Sequence, residues 1–173
     1  MIKTRFTLIL SGCLLLTNAS LVMARQSCNT NIPPSTPSQR FSNHSDGTIT
    51  DTHTGLMWKI CLEGQRGADC SSGHAERMQW QQAVNTTQLA NQRGFANHSD
   101  WHLPSLAELK SIVEQHCNSP AINLEIFPHM LTASVWSGNQ SDPNAWSLDF
   151  TKGKTFNNLK GAGNYVRLVR DSR

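Results

Sequence analysis

The stretch Asp100–Glu114, DWHLPSLAELKSIVE, decides how the rest of the chain is read. Trp101 and Leu103 are large and apolar and flank the polar His102, an alternation that suits a short strand with one buried face. Pro104 has no N–H to give a ladder, so it ends the extended piece. Ser105 followed three residues later by Glu108 is a capping box and starts a helix. Leu106, Leu109, Ile112, Val113 and Cys117 recur at helical spacing, which predicts one apolar face running as far as Cys117. Strand, stop, cap and amphipathic helix make this a scaffold pivot, not a catalytic motif.

Upstream, Asp46-Gly47 and Thr54-Gly55 are turn signals around Thr48-Ile49-Thr50 and Leu56-Met57-Trp58, which predicts a hairpin. Residues 62–73 are a loop rich in Gly, Ser and Asp. A first helix is predicted over Arg77–Gln92, with Trp80, Ala83, Val84, Thr87 and Ala90 inward, and Gly94 ends it. Downstream, Asn118-Ser119-Pro120 and Phe127-Pro128 break the chain. Ser134–Ser137 and Ala145–Phe150 read as strands around a polar loop, Gly138–Asn144. Thr151-Lys152-Gly153-Lys154 makes a tight turn into Thr155-Phe156. Tyr165–Arg170 is a last strand, with Val166 and Leu168 on one face and Tyr165, Arg167 and Val169 on the other. Two helices among many short strands and no internal repeat predict an α+β domain.

The chain has 173 residues. Lys3 and Arg5, the apolar run Phe6–Leu16 and the small residues near Ala24 read as a secretory signal peptide over 1–24, cleaved after Ala24. Leu10-Ser11-Gly12-Cys13 is a rival lipobox, which would anchor a lipoprotein at Cys13. The expected location is therefore secreted, periplasmic or cell-envelope, with a membrane contact only if Cys13 is lipidated. Residues 25–40 are an arm with Pro33, Pro34 and Pro37, expected to be extended and poorly packed, and the domain is 41–173. Four cysteines follow the signal segment, Cys28, Cys61, Cys70 and Cys117; in an exported chain they suggest two disulfides, with three pairings open. Local closure favours Cys61–Cys70, which leaves Cys28–Cys117 to tie the arm to the end of the pivot helix.

The formal charge of +3 is unevenly spread. From Ala145 onward Lys152, Lys154, Lys160, Arg167, Arg170 and Arg173 face only Asp149 and Asp171. Lys152, Lys154 and Lys160 are the candidate ligand-binding residues, read as one exposed patch for a polyanion. The competing reading is a solvated edge that discourages strand pairing. Arg167 and Arg170 are expected to pair with scaffold carboxylates.

Chemistry-bearing patterns are sparse. No P-loop, nucleophile elbow or dinucleotide-type glycine pattern appears, so no catalytic residue is assigned. His98 and His102 have zinc-like spacing only on a helix, and this piece reads as extended. Calcium would use hard oxygen ligands, and Asp142, Asn144 and Asp149 could supply a few. His116 beside Cys117 is read as pointing elsewhere on a helix. Of Trp58, Trp80, Trp101, Trp136 and Trp146, most are assigned to the core, with Trp136 or Trp146 within reach of a ligand at the polar loop. No metal, cofactor or nucleic-acid partner is expected.

The order of landmarks, DGTITDTHTGLMW, a Cys-flanked loop, WQQA, SDWHLPSLAELKSIVE, PAIN, VWSGN, AWSLDFTKG and YVRLVR, resembles the Lcl C-terminal domain family. That family is typified by the C-terminal domain of the Legionella collagen-like adhesin, and the likeness covers about Phe41 to Arg170. It implies a C-type-lectin-like fold, two helices on a curled antiparallel sheet with long loops. It also implies extracytoplasmic binding of a sulfated or other polyanionic glycan, or of a host or cell-surface protein. Two alternatives stand beside it: an enzyme related to the fold's formylglycine-generating branch, and a structural envelope module. The chain departs from the family at His102, where Arg is usual, and the arm lacks the Gly-X-Y period of a collagen-like stalk.

Overall fold

The computed structural model describes residues 25–173; the expected signal segment and Cys13 lie outside them. The strands are β1 (Ser27–Cys28), β2 (Phe41–Asn43), β3 (Thr48–Asp51), β4 (Leu56–Lys59), β5 (Gln65–Arg66), β6 (Ser72–Gly73), β7 (Cys117–Asn118), β8 (Ser134–Ser141), β9 (Asn144–Asp149), β10 (Lys154–Leu159) and β11 (Val169–Asp171). The α-helices are α1 (Trp80–Arg93) and α2 (Leu106–Ser111). All named strand pairs are antiparallel, in a four-stranded sheet β11-β4-β3-β2, a three-stranded sheet β10-β9-β8 and the ribbons β1-β7 and β5-β6. The expected α+β class holds, and the expected single sheet is divided in two.

The hairpin falls where its turn residues put it, with Ile49 opposite Trp58 and Asp51 opposite Leu56. β8 and β9 form a second hairpin that absorbs the polar loop expected over Gly138–Asn144. The segment after Asn164 joins the two sheets. Tyr165 bridges Val135 of β8, the carbonyls of Val166 and Leu168 accept from Glu63 and Lys59, and Val169–Asp171 pair with β4. Its side chains alternate as expected. Val166 and Leu168 enter a core with Met57, Ala83, Ala90, Trp101 and Trp136. Tyr165 and Val169 face a second core with Ile49, Trp58, Leu109, Ile112, Phe127 and Leu148. Thus α1 covers one side of this segment and α2 the other.

α1 starts at Trp80, later than expected, because a capping box between Gln79 and Gln82 sets its first turn. Gly94 closes it in the left-handed conformation, φ +63°, which glycine adopts without a Cβ penalty. Only Ala83 and Ala90 of the expected inner face are buried.

The pivot differs more. Trp101–Leu103 is extended, but only His102 pairs, bridging Val169. The Ser105–Glu108 capping box forms as read: Ser105 Oγ accepts from the Glu108 N–H, and a Glu108 carboxylate oxygen accepts from the Ser105 N–H at 2.6 Å. The helix then stops at Ser111 instead of reaching Cys117. Val113 bridges Ile122 and Cys117 belongs to β7, so their apolar side chains serve other neighbours than the helix face.

The arm also departs from expectation: it is docked. Cys28 pairs with Cys117 across β1-β7, Gln26 donates to the carbonyls of Pro120 and Ile122, and Thr36 is fully buried. Arg40 forks onto the carboxylate of Asp51, whose pKa is lowered: burial opposes the charge, but hydrogen bonds from Arg40 and Thr54 outweigh it. Cys28–Cys117 and Cys61–Cys70 are both bonded.

Candidate functional site

The three candidate lysines do not form one patch. Lys154 and Lys160 stand at opposite ends of β10, six residues or about 20 Å apart at the rise of a strand. Lys160 is also engaged. Its ammonium pairs with Asp142, donates to Gln140 Oε1 at 2.7 Å and lies 4.7 Å from the Trp80 ring centre. It ties the β8–β9 turn to the start of α1, a structural role.

Lys152 and Lys154 are exposed at the other end, on either side of Gly153. Gly153 has φ +68°, and a Cβ there would lie 2.6 Å from Val113 Cγ1. That close approach presses the turn onto the segment after α2. Lys110 of α2 and Lys152 consequently line one hollow of about 320 Å³, together with Val113, Glu114, Gln115 and Gly153. Lys110, Lys152 and Lys154 form no ion pair among the described residues. Sequence reading missed Lys110. Its helical position marks it as polar, but only the contact between Gly153 and Val113 brings it to Lys152.

Behind this hollow, the Glu114 carboxylate is almost fully buried and accepts five hydrogen bonds of 2.8 Å or less, with the His116 backbone N–H farther off at 3.5 Å. The donors are Ser35 N–H (2.7 Å), Ser35 Oγ (2.7 Å), Thr36 N–H (2.8 Å), Thr36 Oγ1 (2.7 Å) and His116 Nδ1 (2.7 Å). Burial alone would raise its pKa, but these donors hold it down at about 2. His116 sits on non-helical backbone, so the expectation that it points away from Cys117 fails: Nε2 is 3.5 Å from Cys117 Sγ. Cys28, His116 and Cys117 open onto a cavity of about 370 Å³ between arm and domain.

A cleft of about 560 Å³ lies where the β3–β4 hairpin meets the Cys61–Cys70 loop. Lys59, Arg66, Asn43 and Phe95 are on its wall. Lys59 is committed, ion-paired with Glu63 at 2.5 Å and 4.1 Å from the Phe95 ring centre.

The remaining expectations divide. Arg170 pairs with Asp100 (2.6 Å), and that hydrogen bond lowers the Asp100 pKa. Arg167 pairs with no carboxylate among the described residues. It is fully buried, donates to the carbonyls of Lys59 (2.7 Å) and Ile60, and lies 4.7 Å from the Phe127 ring centre. Burial pushes its pKa down to about 9. His98 packs edge-on to Trp101, whereas His102 Nε2 lies 3.2 Å from Glu108. That hydrogen bond raises the His102 pKa, so at this position the Glu108 carboxylate is the partner. Asp142 and Asp149 flank opposite ends of β9, and Asp149 is capped onto Thr151, so no calcium set gathers there. Trp136 is buried and donates to the Met78 carbonyl, which removes it as a ligand contact; Trp146 stays partly exposed.

Comparison with curated proteins finds no significant match. The sequence model of the Lcl C-terminal domain matches residues 47–170, well over half of the chain, and the chain therefore belongs to the Lcl C-terminal domain family.

Proposed function

We propose that the chain is an exported, non-catalytic binding domain of adhesin type, with a C-type-lectin-like fold and a sulfated or other polyanionic glycan as ligand. Membership of the family suggests the adhesin-like role. The observation that carries the ligand class is the pair Lys110 and Lys152 on one hollow, with Lys154 two residues on from Lys152, three exposed ammonium groups without carboxylate partners among the described residues. Lysine suits repeated, loosely oriented anions because it is a mobile point charge. Two disulfides fit an oxidising, exported setting, whether soluble after cleavage at Ala24 or anchored at Cys13. A cell-surface protein with an acidic face is the alternative partner.

The test is binding to heparin-like and fucoidan-like polymers across a salt series. Each exposed contact contributes up to about 1 kcal/mol, so Lys110/Lys152/Lys154→Ala should weaken binding roughly 10–100-fold at low salt. Wild-type binding should fade as the Debye length falls below about 8 Å. Lys160→Ala should bind as wild type. A folded triple variant that binds as tightly as wild type would sink the assignment. The enzyme alternative needs an unpaired cysteine in the domain, and titration is expected to find no reactive thiol at Cys28, Cys61, Cys70 or Cys117.

A further inference from the structure

The cleft between the β3–β4 hairpin and the Cys61–Cys70 loop shares no residue with the lysine hollow and takes no part in the polyanion reading. Its volume, about 560 Å³, falls within the range of small-molecule sites. Ile60, Cys61, Ala68 and Phe95 give it apolar surface. Most of its polar side chains are engaged within the protein. Asn43 Oδ1 accepts from the Ser45 N–H, and Asp46 Oδ1 accepts from the N–H and hydroxyl of Thr48. Gln65 accepts from the Leu62 N–H and donates to the His129 carbonyl, and Lys59 is held by Glu63. Arg66 differs: it is exposed, and its guanidinium forms no ion pair among the described residues.

We propose that this cleft binds a small aromatic carboxylate, its ring against Ile60 and Phe95 and its carboxylate on Arg66. A ligand rich in hydroxyls needs an array of free polar partners, and here they are mostly spent on the protein itself. A ring needs an apolar wall, which Ile60 and Phe95 supply. The two walls carry opposite charge. Asp46 stands on the hairpin side and Arg66 on the loop side, so an anion is repelled from one and drawn to the other, which orients the ligand. The guanidinium offers two parallel N–H groups, the fork that a carboxylate matches.

The backbone that carries this fork is fixed in advance. Gln65 and Arg66 pair with Gly73 and Ser72, and the Cys61–Cys70 bond closes the loop. Gly64 packs so closely on the returning strand that a Cβ there would strike the His74 carbonyl. A loop already held in place lowers the ordering cost of binding.

The test is a titration of the native chain with naphthoate, followed by amide NMR, beside its neutral isostere naphthamide. Naphthoate is expected to shift the amides of Ile60, Arg66 and Phe95 and to bind at least about tenfold more tightly than naphthamide. Arg66→Gln should remove that preference and leave naphthamide binding unchanged. Ala68→Trp, at an exposed loop position, should fill the mouth and abolish binding of both. Heparin-like fragments are the competing occupant and should leave these amides unmoved. No binding of naphthoate at millimolar concentration overturns the proposal. So does equal binding of the two probes, a preference that survives in Arg66→Gln, or shifts at Ile60 and Phe95 that follow the heparin-like fragments instead. If a variant does not fold, the two probes on the wild-type chain decide alone.

Discussion

Glu114→Gln tests the reading of the arm as part of the fold. The amide keeps the shape of the carboxylate but offers one acceptor oxygen to five donors, and its own NH₂ opposes the remainder. A carboxyl lowered from 4.5 to about 2 corresponds to about 3 kcal/mol at neutral pH, and partial solvent screening brings this nearer 2. Because the folded pKa is the lower one, the stabilisation is complete above the unfolded value of 4.5 and is lost as pH falls through about 2. Urea unfolding of wild type and variant should therefore differ by about 2–3 kcal/mol at pH 7, and the gap should close as pH approaches 2. Amide exchange at Ser35 and Thr36 should quicken in the variant. Asp51, Asp100 and Glu108 are also lowered, but they are common to both proteins and cancel in the difference. A gap unchanged between pH 7 and pH 2.5, or no gap at pH 7, would refute the argument.

Three further outcomes are expected. Trp101→Ala removes a side chain packed edge-on to Phe95 and donating to the Phe95 carbonyl; it should cost about 3–5 kcal/mol in denaturant unfolding and lower binding only through unfolding. Arg167→Lys keeps a charge but loses the planar guanidinium that lies over Phe127 and donates from Nη1 to both the Lys59 and Ile60 carbonyls, so calorimetry should show a loss of about 3 kcal/mol. Gly153→Ala should cost about 1–2 kcal/mol for its positive φ and more for the contact with Val113; the added Val113→Ala should recover the contact part and leave the backbone part.

What could be read in the sequence was what neighbours in the chain decide. The Thr48–Trp58 hairpin follows from its turn residues, the start of α2 from Ser105 and Glu108, and the two-faced Tyr165–Arg170 segment from strict alternation. Errors came where one apolar pattern had two uses. Val113 and Cys117 continue the helical spacing of α2, yet one bridges Ile122 and the other holds β1. The site was half legible for the same reason. Exposure of Lys152 and Lys154 follows from a local turn, whereas the loss of Lys160 to Asp142 and the arrival of Lys110 depend on tertiary contacts. Arg167 is the sharpest failure, because a charge held by backbone carbonyls leaves no partner residue to recognise.

The placement of Tyr165–Val169 between the two cores has a consequence for biogenesis. A chain is made from its N-terminus, and neither core closes until these late residues arrive. The β3–β4 hairpin can form early, but its edge waits for β11, more than a hundred positions downstream. Pairings of such long sequence separation form slowly, because loop closure precedes the contacts that reward it. A nascent chain ending before Tyr165 therefore presents open strand edges and apolar faces to its surroundings. For the export proposed above, the same dependence would keep the chain unfolded until the final stretch has been threaded across.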